Sequence, residues 1–131
     1  MPCAYTIDAE RDVIVLRAEG VFADQELISL SREIAADPRY EHEFRFYCDL
    51  TQVTQNQLSA NSLGYIPTVL KHSPKARCVI WFNWKLLDFG MFRMYEAYCS
   101  INGFSVPRSF HSREEALVCL NEGMPPEKVV K

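Results

Sequence analysis

The sequence carries no excess of basic charge: over 131 residues its net charge is −3. It therefore lacks the clustered cationic face with which DNA and RNA binders hold a phosphate backbone, and nucleic acid is not an expected partner. No apolar run approaches the roughly 20 residues of a membrane-spanning helix. The chain opens at Met1-Pro2-Cys3 directly into strand-like sequence, without the basic start and apolar stretch of a signal peptide, and a cytoplasmic protein is expected. Gly20, Gly64, Gly90, Gly103 and Gly123 are too scattered for a phosphate-cradling loop, which clusters its glycines between a strand and a helix. No CxxC pair and no pair of histidines four apart occurs, so a metal is not expected, and no cofactor is indicated. The cysteines Cys3, Cys48, Cys78, Cys99 and Cys119 are odd in number, which points to reduced thiols rather than a disulfide framework.

What is present is apolar surface. Hydrophobic residues make up 48% of the chain and aromatics 12%, enough for a core that needs no covalent staple. Tyr5–Ile7 and Val13–Ala18 are β-rich runs on either side of the polar stretch Asp8–Asp12, the pattern of an antiparallel hairpin. Gly20 is expected to end the second strand, and Asp24 to cap a helix carrying Leu27, Ile28, Leu30, Ile34 and Ala35 on one face. Asp37-Pro38 stops that helix. A strand from Phe44 to Leu50 puts Phe44, Phe46 and Cys48 on one face and Arg45, Tyr47 and Asp49 on the other, then enters a polar loop. Leu58 to His72 reads as a helix weakened by Gly64 and kinked or divided at Pro67.

Cys78 to Phe82 is a continuous apolar run, the signature of an interior strand buried on both faces, with Trp81 in the core. Leu86 to Ile101 is expected to be the longest helix. It has one apolar stripe in Leu87, Met91, Met94, Tyr98 and Ile101 and a second in Phe92, Tyr95 and Cys99. Gly103 closes it, Ser105 to Phe110 forms a last strand, and the capping box Ser112-Arg113-Glu114-Glu115 opens a final helix that Gly123 ends. Residues 1–123 thus form one domain, and 124–131 are expected to be a flexible tail. The order ββαβαβαβα implies an α/β fold with a mainly parallel sheet, opened by a hairpin and covered by helices.

The element order and length resemble the STAS domains, typified by bacterial anti-sigma factor antagonists, which share their broad fold with lipid-carrying CRAL-TRIO domains. In that family a strand ending Asp-Leu-Ser leads to a helix starting near Asp-Ser-Ser-Gly-Leu-Gly; here Cys48-Asp49-Leu50-Thr51-x-Val53 leads to Ser59-Ala60-Asn61-Ser62-Leu63-Gly64. The helix from Met91 to Tyr98, with its Arg-Met-Tyr-Glu centre, is also similar to uncharacterised bacterial STAS-like proteins. The resemblance implies a regulatory interaction module. Its partner surface would run over Asp49, Thr51, Asn56, Ser59, Asn61 and Ser62, at a helix start whose exposed amides favour anions. The family's phosphorylated serine falls at Asn61, which cannot accept phosphate, so constitutive binding is expected, with Ser59 or Ser62 as substitute acceptors.

Candidate chemistry is sparse. His42, His72 and His111 lie in or beside loops and outside any recognisable motif, so no nucleophile–base pair can be assigned and no enzyme is expected. The carboxylates of Asp8, Glu10 and Asp12, and of Glu41 and Glu43, read as solvated turn charge, and Lys71, His72, Lys75 and Arg77 as a solvated basic turn. Cys48 reads as packing. Two expectations concern apolar surface. Phe92, Tyr95 and Cys99 exceed what one sheet face needs and would form a homodimer interface. Alternatively, the Phe, Met and Tyr residues around Phe89–Tyr98, with Trp84 nearby, would line a pocket for a small apolar, lipid-like ligand.

Overall fold

The computed structural model describes residues 3–71, 73–82 and 89–131. His72, Trp84, Leu86 and Leu87 lie outside them, as do the side chains of Phe89 and Met91. The elements are β1 (Cys3–Asp8), β2 (Val13–Ala23), α1 (Asp24–Ala36), β3 (Arg45–Gln57), α2 (Ala60–Leu70), β4 (Cys78–Trp81), α3 (Phe89–Ile101), β5 (Arg108–Phe110) and α4 (Arg113–Asn121). This is the order that the sequence implies.

The five strands lie side by side in chain order. β1 pairs antiparallel with β2 and every later pair is parallel. Right-handed crossovers that always step in the same direction put their helices on the same face. Thus Leu30 and Ile34 of α1, Ile66 and Leu70 of α2 and Phe92 and Tyr95 of α3 all pack on one core, against Leu16, Phe46, Leu50 and Ile80. α4 follows the last strand and covers the opposite face, where Ala116, Cys119 and Leu120 meet Val13, Tyr47 and Val79. The sheet is therefore a middle layer, and alternate residues of each interior strand serve different cores.

Two strands run further than their composition suggests. Gly20 does not end β2: at φ +70° it takes a left-handed conformation that glycine adopts without strain, beside two register shifts in the β2–β3 ladder, and the strand continues through this bulge. β3 likewise extends to Gln57 instead of opening into a loop at Leu50. Its outer half pairs with β2 from Glu19 to Ala23, while β4 leaves it at the Asp49–Trp81 pair. With one edge and one face solvated, only Val53 needs to be buried there, so the polar residues around it are compatible with a strand. β5 is shorter than expected because Pro107 has no N–H for a sheet ladder.

α2 passes through Pro67 as one helix. Gly64 within it has a packing reason: a Cβ there would come 3.4 Å from the Tyr98 ring of α3. Ser112 caps α4 by accepting from the Glu115 N–H at 3.3 Å, as its capping box predicts. In the apolar run of β4, Trp81 is only half-buried and its indole donates to the His111 carbonyl at 3.3 Å. The fully buried ring is Phe82, at 1% exposure.

Residues 124–131, where a flexible tail is expected, make specific contacts with the domain. Pro126–Lys128 form a short 3₁₀ turn. Asn121 holds Val130 through paired hydrogen bonds of 2.8 Å, and Lys128 forms an ion pair with Asp12 at 3.0 Å. Beneath this turn lies Arg45, 4% exposed, which donates to the carbonyls of Leu120 at 2.8 Å, Arg11 at 2.7 Å and Lys128 at 2.5 Å. Arg77 donates to Cys119 and Glu122 carbonyls at 2.8 and 2.7 Å. It is thus no solvated turn cation: with Arg45 it satisfies the orphan carbonyls at the end of α4.

Candidate functional site

The residues expected to converge on one partner surface are divided by the sheet. Asp49 follows Tyr47 on the α4 face and is 8% exposed. Its Oδ1 accepts from the Thr51 amide at 3.0 Å and hydroxyl at 2.6 Å, and its Oδ2 lies 3.6 Å from Arg17 Nε. Asp49 and Thr51 satisfy each other locally, in mid-strand rather than at a strand end. Asn56 lies on the outer half of β3, where its side chain accepts from the Leu58 N–H at 3.2 Å. Ser59, Asn61 and Ser62 belong to the helical side, at the start of α2.

That helix start already holds an anion. Asp24 is the first residue of α1, and the cap position before it is Ala23. The Asp24 Oδ1 accepts from the Ser59 N–H at 2.7 Å and the Ser62 hydroxyl at 2.7 Å, and its Oδ2 from the Ser59 hydroxyl at 2.6 Å. Ser59 in turn caps α2 by accepting from the Ser62 N–H at 3.3 Å. Asp24 thus latches α1 to α2 and supplies the negative charge that the helix dipole favours. A docked phosphate would meet this carboxylate. Ser62 is 2% exposed and both serine hydroxyls are engaged, so neither is presented as a phosphate acceptor, whereas Asn61 is exposed.

Burial pushes the Asp24 carboxyl up, but hydrogen bonds from Ser59 and Ser62 outweigh it and hold the group below its usual range. A lowered folded-state pKa stabilises fully above the unfolded carboxylate value near ~4 and is lost as pH falls through the folded value. Asp24→Asn should therefore lose less stability than wild type between pH 7 and pH 3, measured as urea midpoints. Equal losses would remove Asp24 as a contributor.

The expected dimer stripe is also reassigned. Cys99 is 3% exposed, Phe92 and Tyr95 pack on the main core, and the Phe92 ring lies 4.5 Å from that of Phe82. The helical spacing is right, but this stripe faces the sheet. Met94 and Ile101 of the other stripe point outward, at 39% and 80% exposure.

Between the sheet and α1–α3 lies a cavity of about 90 Å³. Leu16, Phe46, Cys48, Leu50, Cys78 and Ile80 form its floor, Phe22, Leu27 and Ser31 one side, Asn56, Leu58, Leu63, Ile66 and Leu70 another, and Phe92 and Tyr95 the wall from α3. The surplus of aromatics in the α3 sequence thus finds its place in a pocket wall.

The thiols here are quiet. Contact with Cys48 and burial push Cys78 well above the usual thiol range, and burial pushes Cys99 up to about 11. Burial likewise keeps the Tyr95 phenol neutral. Cys48 and Cys78 are offset by two residues on neighbouring strands, roughly 8 Å between Cα atoms by strand geometry. A disulfide spans less than about 7 Å, and all five cysteines are free. Among the described residues no group of three or more metal-ligating side chains is placed to hold an ion.

No protein-family model matches the sequence, and no curated protein matches it. Among solved structures, the chain is similar to an uncharacterised protein of the DUF3478 family with a SpoIIAA-like fold from Shewanella loihica PV-4. The TM-score is 0.56 and the identity 17%, over 90% of this chain and 93% of that one. The fold is therefore SpoIIAA-like, that is STAS-like, as the sequence resemblance implies.

Proposed function

We propose that this protein is a non-enzymatic STAS-like module that takes up a small apolar ligand between its sheet and helices α1–α3. The observation that carries the reading is the cavity, whose described lining is almost entirely aliphatic, aromatic or thiol. Apolar lining with a few polar groups is the usual make-up of a small-molecule site, and at about 90 Å³ this one suits only a very small ligand. α1, α2 and α3 all contribute to its walls, so occupancy would alter how they pack on the sheet and could be read by a protein partner. A non-catalytic role is supported by the placement of the described histidines: a His42 ring nitrogen lies 3.2 Å from the Leu70 carbonyl and His111 packs 4.8 Å from the Phe82 ring, both structural settings.

Native mass spectrometry of protein purified without denaturation should show a bound species of small mass, and its removal should lower the melting temperature, since a ligand bound only to the folded state stabilises it by mass action. A ligand-free spectrum, together with no thermal shift from any apolar probe, would refute the reading. A protein-partner role is the second reading, favoured by exposed Asn61 in the first turn of α2. It predicts that Asn61→Asp loses a specific host protein while folding normally.

A further inference from the structure

We propose that the cavity selects compact, uncharged ligands and rejects molecules carrying a carboxylate or phosphate inside it; this rests on the ligand-binding reading above. Lys, Arg, His, Asp and Glu are all missing from its described lining. An ionised head group drawn into such a space would give up its hydration without gaining a counter-charge, a large penalty. The polar groups that do line it are already occupied. Ser31, 2% exposed, donates to the Leu27 carbonyl at 2.8 Å, and Asn56 accepts from the Leu58 amide.

The start of α2, which follows Leu58 of the lining, offers an anion no site either. There the Asp24 carboxylate holds the amide and hydroxyls of Ser59 and Ser62 that would otherwise receive a negative group. Burial keeps Tyr95 protonated, so this wall contributes no charge of its own but offers a polarisable phenol and sulfur atoms. Size points the same way. At about 90 Å³ the space is smaller than the ~150 Å³ apolar cavity that holds a whole benzene ring, which leaves room for a compact probe such as a xenon atom. A short alkyl chain or small alcohol fits, and a long acyl chain does not unless the walls move apart.

The test uses the full chain, labelled for amide NMR, with three probes: xenon, 1-butanol and its charged counterpart butyrate. Xenon and butanol should shift the amides of Cys48, Leu63 and Ile80, and butyrate should bind at least tenfold more weakly. The cavity-filling variant Cys48→Leu, checked for folding by near-UV dichroism, should lose the butanol shifts. Butyrate binding as tightly as butanol would overturn charge exclusion while leaving the ligand-binding reading intact. Butanol shifts unchanged in folded Cys48→Leu would overturn the assignment to this cavity. No response to xenon or butanol would overturn both.

Discussion

Phe82→Ala is expected to destabilise the protein by about 3–5 kcal/mol, the usual cost of truncating a fully buried aromatic. Phe82 is 1% exposed and follows the last residue of β4. Its amide donates to the Phe110 carbonyl at 3.0 Å, so the backbone is held by β5 after the formal strand has ended. Its ring meets Phe92 of α3 and His111. Truncation would leave a void between the sheet and α3, and Phe92 would lose its ring partner at the wall of the cavity. A large fall in the urea midpoint with an unchanged slope is the expected result. A loss under about 1 kcal/mol, typical of surface positions, would show that Phe82 does not anchor α3.

How much of this was legible in the residues differs from element to element. The type and order of the described strands and helices follow from their apolar patterns and stop signals. The polar half of β3 did not. Gln52, Thr54, Gln55 and Asn56 look like a loop, and only pairing with the continuation of β2 beyond Gly20 keeps them extended, a tertiary effect on which local propensity is silent. The place of Asp49 depends on that boundary. With the strand taken to end at Leu50, Asp49 appeared to sit beside the start of α2; with the strand continuing to Gln57, Asp49 lies in mid-sheet on the other face.

Asp24 shows a related difficulty. It stands at a helix start, and its residue type suits a cap, yet its carboxylate reaches Ser59 and Ser62, some 35 and 38 positions away. Nothing local distinguishes the two uses. Among the described residues of α3, Phe92, Tyr95 and Cys99 face inward and Met94 and Ile101 outward, and periodicity alone does not say which face turns inward. The pocket was signalled only as surplus aromatic surface, since a cavity is a property of three helices and a sheet together.

Arg45→Met is expected to cost about 3 kcal/mol, because methionine keeps an apolar stem but leaves buried carbonyls without donors at ~1–3 kcal/mol each. The guanidinium reaches Leu120 at the end of α4, Arg11 in the β1–β2 turn and Lys128 in the 3₁₀ turn. It therefore ties three parts of the chain, distant in sequence, to the first residue of β3. Burial pushes its pKa down, and a nearby Asp12 opposes that shift; an arginine remains charged at neutral pH regardless. The Leu120 carbonyl is the hardest to compensate, since it faces the core, while water can reach parts of the other two. The loss should therefore be unequal in space. Hydrogen exchange should speed up first in residues 126–130 and in the last turn of α4, with β3 and β4 less affected. Arg45→Lys should recover only part of the stability, because one ammonium cannot span acceptors on opposite sides of a planar fork. If Arg45→Met unfolds at the wild-type urea concentration, or if Arg45→Lys restores it in full, the carbonyl-bridging role is wrong and the residue matters only for its stem.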